Sequence, residues 1–395
     1  MTNATRSRAT WTLFHAVVLI GSVSYGSWRY DRLQFDRALP IPQNEPRSIT
    51  PRHQRPDLVS REEASRILTR LQPRFRGRNP KINSVEHALR LWGVEARSDD
   101  ETALSGAELR ELLLDHRAFA AAWGPKAKPF VIPDTRDTQR LMFRTDAGNA
   151  TSSHVDHTLA CLGEVGTPLD FPVITPRGES TVGRALAESL RQFSLNQDEY
   201  EWSALVYLLY LPETPEWTST EGQRITWDRL AERLMRQRLA QGVCYGQHRL
   251  YTLAALLRVD EESPRLSPRM RQRAIEFLQH ATAALVKTQH AEGWWAGDWP
   301  GIEPEGSSTA VDGPFGPQAD RLLMTGHVLE WWAYAPEESL PNEETLTRAV
   351  RWLIAEIDGL SNEQVQRYYP FLTHAGRALA LWHGAEPQAL IETPR

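Results

Sequence analysis

HRLYTLAALL, residues 248–257, is apolar on nearly every side, and so is WSALVYLLYL, residues 202–211. A helix with no polar stripe has no face to offer water and belongs inside a protein. Four further stretches share the first one's opening histidine: His87 in HALRLWGVEA, His157 in HTLACLGEVG, His327 in HVLEWWAYAP and His374 in HAGRALALWH. Trp202 takes the histidine's place in the sixth. The spacing is regular: 45 residues from 157 to 202, 46 from 202 to 248 and 47 from 327 to 374. The 79 residues between 248 and 327 carry an insertion.

A second series interleaves with the first. LAESL at 186–190, LAERL at 230–234 and AIEFL at 274–278 place Glu188, Glu232 and Glu276 at intervals of 44. AVRWL at 349–353 continues it. These stretches are amphipathic, as RLAERLMRQRLAQ at 229–241 shows with its arginines on one side. Gly178 and Gly222 each stand eight residues ahead of the first leucine of their motif, in polar loops. A fixed period with two helices per unit predicts a stack of helical hairpins. Buried and amphipathic helices alternating about six times suit a closed ring. The predicted fold is therefore all-α, an (α/α)6-type toroid of repeated helical hairpins. Its first hairpin is interrupted by PKAKPFVIPDTRDTQRLMFRTDAGN, residues 125–149, which reads as non-helical.

The N-terminus differs in kind. WTLFHAVVLIGSVSYGSW, residues 11–28, holds no charge and lies between Arg8 and Arg29. Its length sits at the lower limit for a bilayer span. An uncleaved signal anchor over 1–29 is expected, with a cleaved signal peptide as the competitor. FDRALPIPQNEPRSITPRHQRPDL, residues 35–58, reads as a proline-rich tether within 30–59. The toroid body is then 60–395, opening near Ser60 where S-R-E-E has the form of a helix start. This organisation implies a membrane-anchored protein with its body on the extracytoplasmic side.

Composition narrows the partners. The chain has 395 residues, 41% hydrophobic and 24% charged, with a net charge of −5. Acids and bases are mixed along it, which argues against a nucleic-acid partner. Two cysteines, Cys161 and Cys244, cannot form a disulfide framework or a zinc site by themselves.

Parallel inner helices would bring their histidines to one mouth, where helix N-termini favour an anionic group. Asp156, His157, His248, His327 and His374 are thus the candidate catalytic residues, for acid–base chemistry in a central cavity. A residue repeated by internal symmetry also serves as a structural spacer, and both readings stand at this point. Cys244 and His248, four apart, share a helix face. They are expected to pack as a small hydrophobe and a histidine bonded to the next hairpin, with no cofactor; a zinc pair is the alternative. The insertion EGWWAGDWPGIEPEGSSTAVDGPFGPQAD, residues 292–320, is long, rich in glycine and proline, and aromatic. Such loops in compact domains serve as lids or binding loops. Trp294, Trp295, Asp298 and Trp299, with Tyr368, are the candidate ligand-binding residues.

LVKTQHAEGWW, residues 285–295, resembles the QW repeat of the squalene and terpenoid cyclases, in which a glutamine precedes G-x-W, here Gln289, Gly293 and Trp295. Protein prenyltransferases share that family's toroidal fold. The resemblance implies a cavity for an isoprenoid, although the acidic D-x-D-D motif of one cyclase class is absent, RVDEE being the nearest stretch. CYG at 244–246 is similar to a zinc motif of lanthionine synthetase-like toroids, whose partner C-H-G is here T-H-A at 373–375. The functional expectation is a small-molecule, lipid or glycan ligand in an aromatic and histidine-lined cavity, as an enzyme on an isoprenoid or polysaccharide. A non-catalytic binding or scaffold toroid is the alternative.

Overall fold

In a computed structural model, the described residues are 3–35, 39–134, 137, 140–146, 148–213, 215–236, 238–239, 242–302 and 315–392. They are mostly helical. The helices are α1 (Asn3–Phe35), α2 (Arg61–Arg70), α3 (Ile82–Trp92), α4 (Gly106–Leu114), α5 (His116–Trp123), α6 (His157–Glu164), α7 (Val182–Gln192) and α8 (Glu201–Tyr210). They continue as α9 (Trp227–Arg236), α10 (Gln247–Glu262), α11 (Pro268–Thr288), α12 (Pro317–Trp332), α13 (Glu343–Gly359), α14 (Asn362–Arg367), α15 (Tyr369–His383) and α16 (Pro387–Ile391). Three antiparallel two-stranded ribbons interrupt them: β1 (Val131–Pro133) with β2 (Leu141–Phe143), β3 (Pro172–Thr175) with β4 (Gly178–Thr181), and β5 (Trp217–Thr218) with β6 (Arg224–Ile225). The first ribbon occupies the stretch read as non-helical.

The apolar series forms an inner layer. Every residue of α8 is buried, and so are His157 to Gly163 of α6 and Leu250 to Leu257 of α10. The amphipathic series forms an outer layer: in α9 only Trp227, Leu230, Ala231 and Leu234 are buried. Around the inner layer each helix packs on the next, α3 on α6, α6 on α8, α8 on α10, α10 on α12 and α12 on α15. The last, α15, packs on the first, α3, so the circuit of contacts closes. The outer helices α7 and α9 are each launched from a ribbon. Its turn contains Gly178 at φ 132° or Gly222 at φ 76°, backbone that an L side chain rarely adopts. This explains the glycine found at one offset ahead of both leucine motifs.

Three of the histidine-led stretches do not begin their helices. Helix α3 starts at Ile82, α12 at Pro317 and α15 at Tyr369, so His87, His327 and His374 lie inside helices. Proline sets two of these starts, at the first or second position of α12 and of α15, where its missing N–H costs nothing. The histidines therefore share a level along the axis without sharing a helix terminus, and the anion site expected from helix N-termini loses its basis.

Residues 43–55 correct the reading of a free tether. They run extended across the C-terminal ends of the inner helices and donate backbone N–H groups to carbonyls that have no partner within a helix. Gln43 and Arg47 donate to Tyr210 and Leu209 at 2.9 and 2.8 Å, Arg52 to Ala333 at 2.8 Å, and Arg55 to Trp382 at 2.5 Å. His53 adds a ring contact to the Ala335 carbonyl at 2.8 Å. Prolines suit this strap because they hold it extended and remove only donors it does not need. A cavity of about 510 Å³ lies between strap residues 46–51 and the ends of α3, α6 and α15.

The expected anchor is also corrected. No helix among the described residues is long and apolar enough to cross a membrane. The run at 11–28 does lie within a 33-residue helix, α1, but His15, three serines and two glycines dilute it. Its apolar side chains are exposed, Leu19 at 67% and Ile20 at 64%. A chain lacking residues 1–35 should fold with an unchanged thermal midpoint, whereas removing residues 1–58 should lower that midpoint by several degrees, because the strap bonds are then lost. Equal midpoints for the two truncations, measured by circular dichroism, would show that the strap contributes nothing.

Candidate functional site

The five histidines meet at the centre of the inner layer. With Trp202 their rings form a closed circuit: His87 to His157 4.9 Å between centroids, His157 to Trp202 4.4, Trp202 to His248 4.3, His248 to His327 4.6, His327 to His374 3.6 and His374 to His87 5.0. All are buried, none above 7% exposed. The rings touch, so at this level the axis is filled rather than open, and the expected histidine-lined cavity is replaced by a plug.

Hydrogen bonding fixes the tautomers. His87 Nδ1 lies 2.7 Å from the carbonyl of Asn83, and His327 Nδ1 lies 2.7 Å from that of Leu323. A carbonyl only accepts, so each Nδ1 carries the proton. His157 Nδ1 faces Glu86 Oε2 at 2.9 Å and His374 Nδ1 faces Glu330 Oε2 at 2.7 Å. Four imidazoles thus have Nδ1–H tied to an oxygen, and their Nε2 lone pairs are left for other partners. The Nε2 atoms of His87 and His374 stand 3.1 Å apart, those of His248 and His327 3.2 Å, and His157 Nε2 has no partner. For His87 and His374 this sets lone pair against lone pair unless a proton or a cation lies between them. Burial is the main cause that holds His87, His248 and His374 well below the ordinary imidazole value, and it brings His327 down to about 4. Neighbouring imidazoles add to the effect at His87, His248 and His374.

One helical turn further along is a layer of buried charge. Arg90 bonds Glu164 through Nε at 2.5 Å and Glu330 through Nη1 at 2.7 Å. Arg377 bonds the same two carboxylates, Glu164 at 3.1 Å and Glu330 more closely. Two arginines and two glutamates therefore alternate around the axis, and the Tyr251 hydroxyl also donates to Glu164. Burial opposes charge on both carboxylates, yet the two guanidinium groups keep Glu164 and Glu330 below the usual carboxylate range.

The sequence contained a signal for this layer that was not used. Arg90, Tyr251, Glu330 and Arg377 each follow a histidine of the series by three residues, so each lies on the same helix face. Glu86, next to His87, is the carboxylate that orients the His157 imidazole, whereas Asp156, grouped with the histidines as a candidate catalytic residue, does not reach the ring. Asp156 itself has left-handed backbone, φ 58°, and its carboxylate accepts from Ser189 and Ser203 outside the ring.

Cys244 belongs to a left-handed turn in which Cys244, Tyr245 and Gly246 have φ of 48°, 57° and 77°. Such backbone costs on the order of 1–3 kcal/mol per non-glycine residue and persists where its surroundings enforce it. The turn brings Cys244, partly exposed, to the imidazoles: one donor atom each of Cys244, His248 and His327 lie within 4.8 Å of one another. His327, Glu330 and His374 form a second such group. Burial first, then the nearby carboxylates of Glu201 and Glu199, push the Cys244 thiol up.

The candidate ligand-binding residues do not assemble into one aromatic wall. Trp295 and Trp299 are buried and donate Nε1–H to the carbonyls of Leu285 at 2.8 Å and Tyr245 at 3.1 Å, so they anchor the loop to the body. Trp294 lies at the surface between His290, stacked at 4.1 Å, and the Arg321 guanidinium at 4.1 Å. Asp298 is exposed and Tyr368 is buried at the end of α14. Residues 303–314 of the insertion lie outside the described residues. No known family profile, curated protein or solved structure matches this chain.

Two outcomes follow from the buried charges. A histidine whose folded pKa is below its unfolded value of about 6.5 destabilises the fold as pH falls from that value towards the folded one. Four such histidines predict a steep loss of stability between about pH 6.5 and 4, each contributing up to about 1.4 kcal/mol per pH unit. Glu164 and Glu330 extend the loss below their unfolded pKa of about 4.3. Urea midpoints measured across this range should fall monotonically, and a flat profile would contradict four imidazoles held neutral by burial. Glu330→Gln should cost roughly 3–5 kcal/mol in the same assay at pH 7, because Arg90 and Arg377 then share one carboxylate.

Proposed function

We propose that this chain is an (α/α)6 toroid, of the architecture used by terpenoid cyclases and protein prenyltransferases, whose axis holds a transition-metal ion of the zinc type. Cys244, His248 and His327 would hold it. The observation that carries this reading is the orientation of the imidazoles. Metal-ligating histidines donate the other ring N–H to a carboxylate or backbone carbonyl, which fixes the tautomer. Of the two proposed histidine ligands, His327 does so through the Leu323 carbonyl, which leaves its Nε2 lone pair facing His248 Nε2; His87, His157 and His374, outside the set, are held in the same way.

The donor set fits the ion. A cysteine sulfur with two imidazoles suits zinc, and three protein ligands are the number that catalytic zinc sites use. Nitrogen ligands about 2.0–2.1 Å from a tetrahedral ion lie about 3.3 Å apart, close to the 3.2 Å between His248 and His327. Neutral imidazoles are the form that binds metal. When bound, such an ion acts as a Lewis acid and lowers the pKa of a coordinated water. Tyr245, adjacent to Cys244, donates to Asp320 Oδ1 at 2.8 Å, and Trp299 closes over the Tyr245 carbonyl. A ligand would reach Cys244 from this side, past Tyr245 and Trp299. Its class remains the lipid, isoprenoid or glycan expected from the sequence, with Asp298 near Tyr245.

A second reading has its own support. The ring is closed by contacts among the imidazoles themselves, which is what spacers would do, and the protein would then be a non-catalytic scaffold. Elemental analysis of the purified protein separates the two. About one equivalent of zinc per chain is expected, lost in Cys244→Ser and in His327→Ala, and cobalt substitution should give thiolate charge-transfer absorption that Cys244→Ser removes. A folded, metal-free protein that fails to take up zinc or cobalt would leave the scaffold reading standing.

A further inference from the structure

Asp156 does not serve the histidine ring, and its surroundings define a separate site. It stands immediately before α6, yet it makes no side-chain capping bond to that helix. Left-handed backbone, φ 58° and ψ 5°, turns its carboxylate away from the helix and towards α7 and α8. There Oδ2 accepts from Ser189 at 2.7 Å and, at closer range, from Ser203. Ser189 is in turn 2.9 Å from the Tyr207 hydroxyl. Two serine hydroxyls thus hold the carboxylate, with the Tyr207 hydroxyl behind one of them, and none carries a positive charge.

The carboxylate lines a cavity of about 270 Å³ between α6, α7 and β2. Leu141, Phe143, Val155, Leu159 and Phe193 make most of the wall apolar. The cavity's other carboxylate, Glu188, is compensated by Arg140 and Arg191, both at 2.9 Å. Asp156 has no such partner among the described residues. Burial raises its pKa, and only the two serine hydroxyls oppose that rise. Aspartate adopts left-handed backbone more readily than most residues, and here that backbone is what turns the carboxylate towards α7 and α8.

We propose that this cavity is a binding site for a small organic ammonium ion, with the charged nitrogen on Asp156 and the hydrocarbon portion against Leu141, Phe143 and Phe193. The ligand supplies the counter-charge that the fold omits, and its apolar part removes the cavity's hydrophobic wall from water. A buried charge is retained when it is paired, and a charge-assisted hydrogen bond is worth about 1.5–3 kcal/mol, which corresponds to roughly ten-fold or more in affinity.

Isothermal titration of the full chain with phenethylammonium chloride and with 2-phenylethanol, its neutral analogue, tests the site. The ammonium should bind at one site per chain, at least about ten-fold more tightly than the alcohol. Asp156→Asn should remove that preference while leaving the zinc content unchanged. Equal affinities for amine and alcohol in the unmodified protein would overturn the proposal, and so would the absence of amine binding. The comparison of the two ligands needs no variant, so it decides the matter even if Asp156→Asn fails to fold.

Discussion

Six inner helices whose contacts close into a circuit pose a packing problem at their centre, because side chains pointing inward must fill it without leaving a void or an unpaired charge. This protein fills it in two layers. The upper layer is five imidazoles and an indole, flat rings that tile a narrow circle. The lower layer is the alternating square of Arg90, Glu164, Arg377 and Glu330. Removing four charges from water is expensive, and their mutual attraction offsets that cost only if all four are present. The square therefore ties α3, α6, α12 and α15 together: each of them contributes one charge, and no pair is complete in isolation.

Much of this architecture was legible in the chain. The uniformly apolar 202–211 could only be interior, and the 44–47-residue period required hairpins repeated in space. The chemistry at the axis was less legible, because its residues are adjacent across the ring and distant in sequence: His87 and His374 are 287 apart. A histidine at a repeated position announces a shared level and says nothing about which oxygen takes its proton. Glu86 and Asp156 illustrate this. Both are carboxylates beside a histidine, and left-handed backbone at one of them decides which faces the ring. The strap is hard to tell from a tether in sequence for a related reason. Prolines and polar residues signal extended chain in either case, and only the unpaired carbonyls of α8, α12 and α15 distinguish a strap from a tether.

The loop tryptophans show the same limit. An indole can stack on a ligand or bury its ring and donate its N–H to a carbonyl, and composition favours neither. Trp295 and Trp299 take the second course, which fixes the loop's base and leaves Trp294 as its surface aromatic.

The strap also orders the events of folding. Residues 43–55 leave the ribosome early, but the carbonyls that receive them belong to residues 209, 210, 333 and 382. The last of these, Trp382, follows the strap by most of the helical series. Closure of the helix circuit has the same dependence, since α3 must wait for α15. Bringing such distant segments together costs loop entropy before any contact repays it, and topologies of this kind fold slowly. Until α15 arrives, the inner faces of the early hairpins are uncovered apolar surface. The nascent chain is therefore most exposed to aggregation just before α15 emerges, when the other inner helices exist and nothing yet covers the gap between α12 and α3.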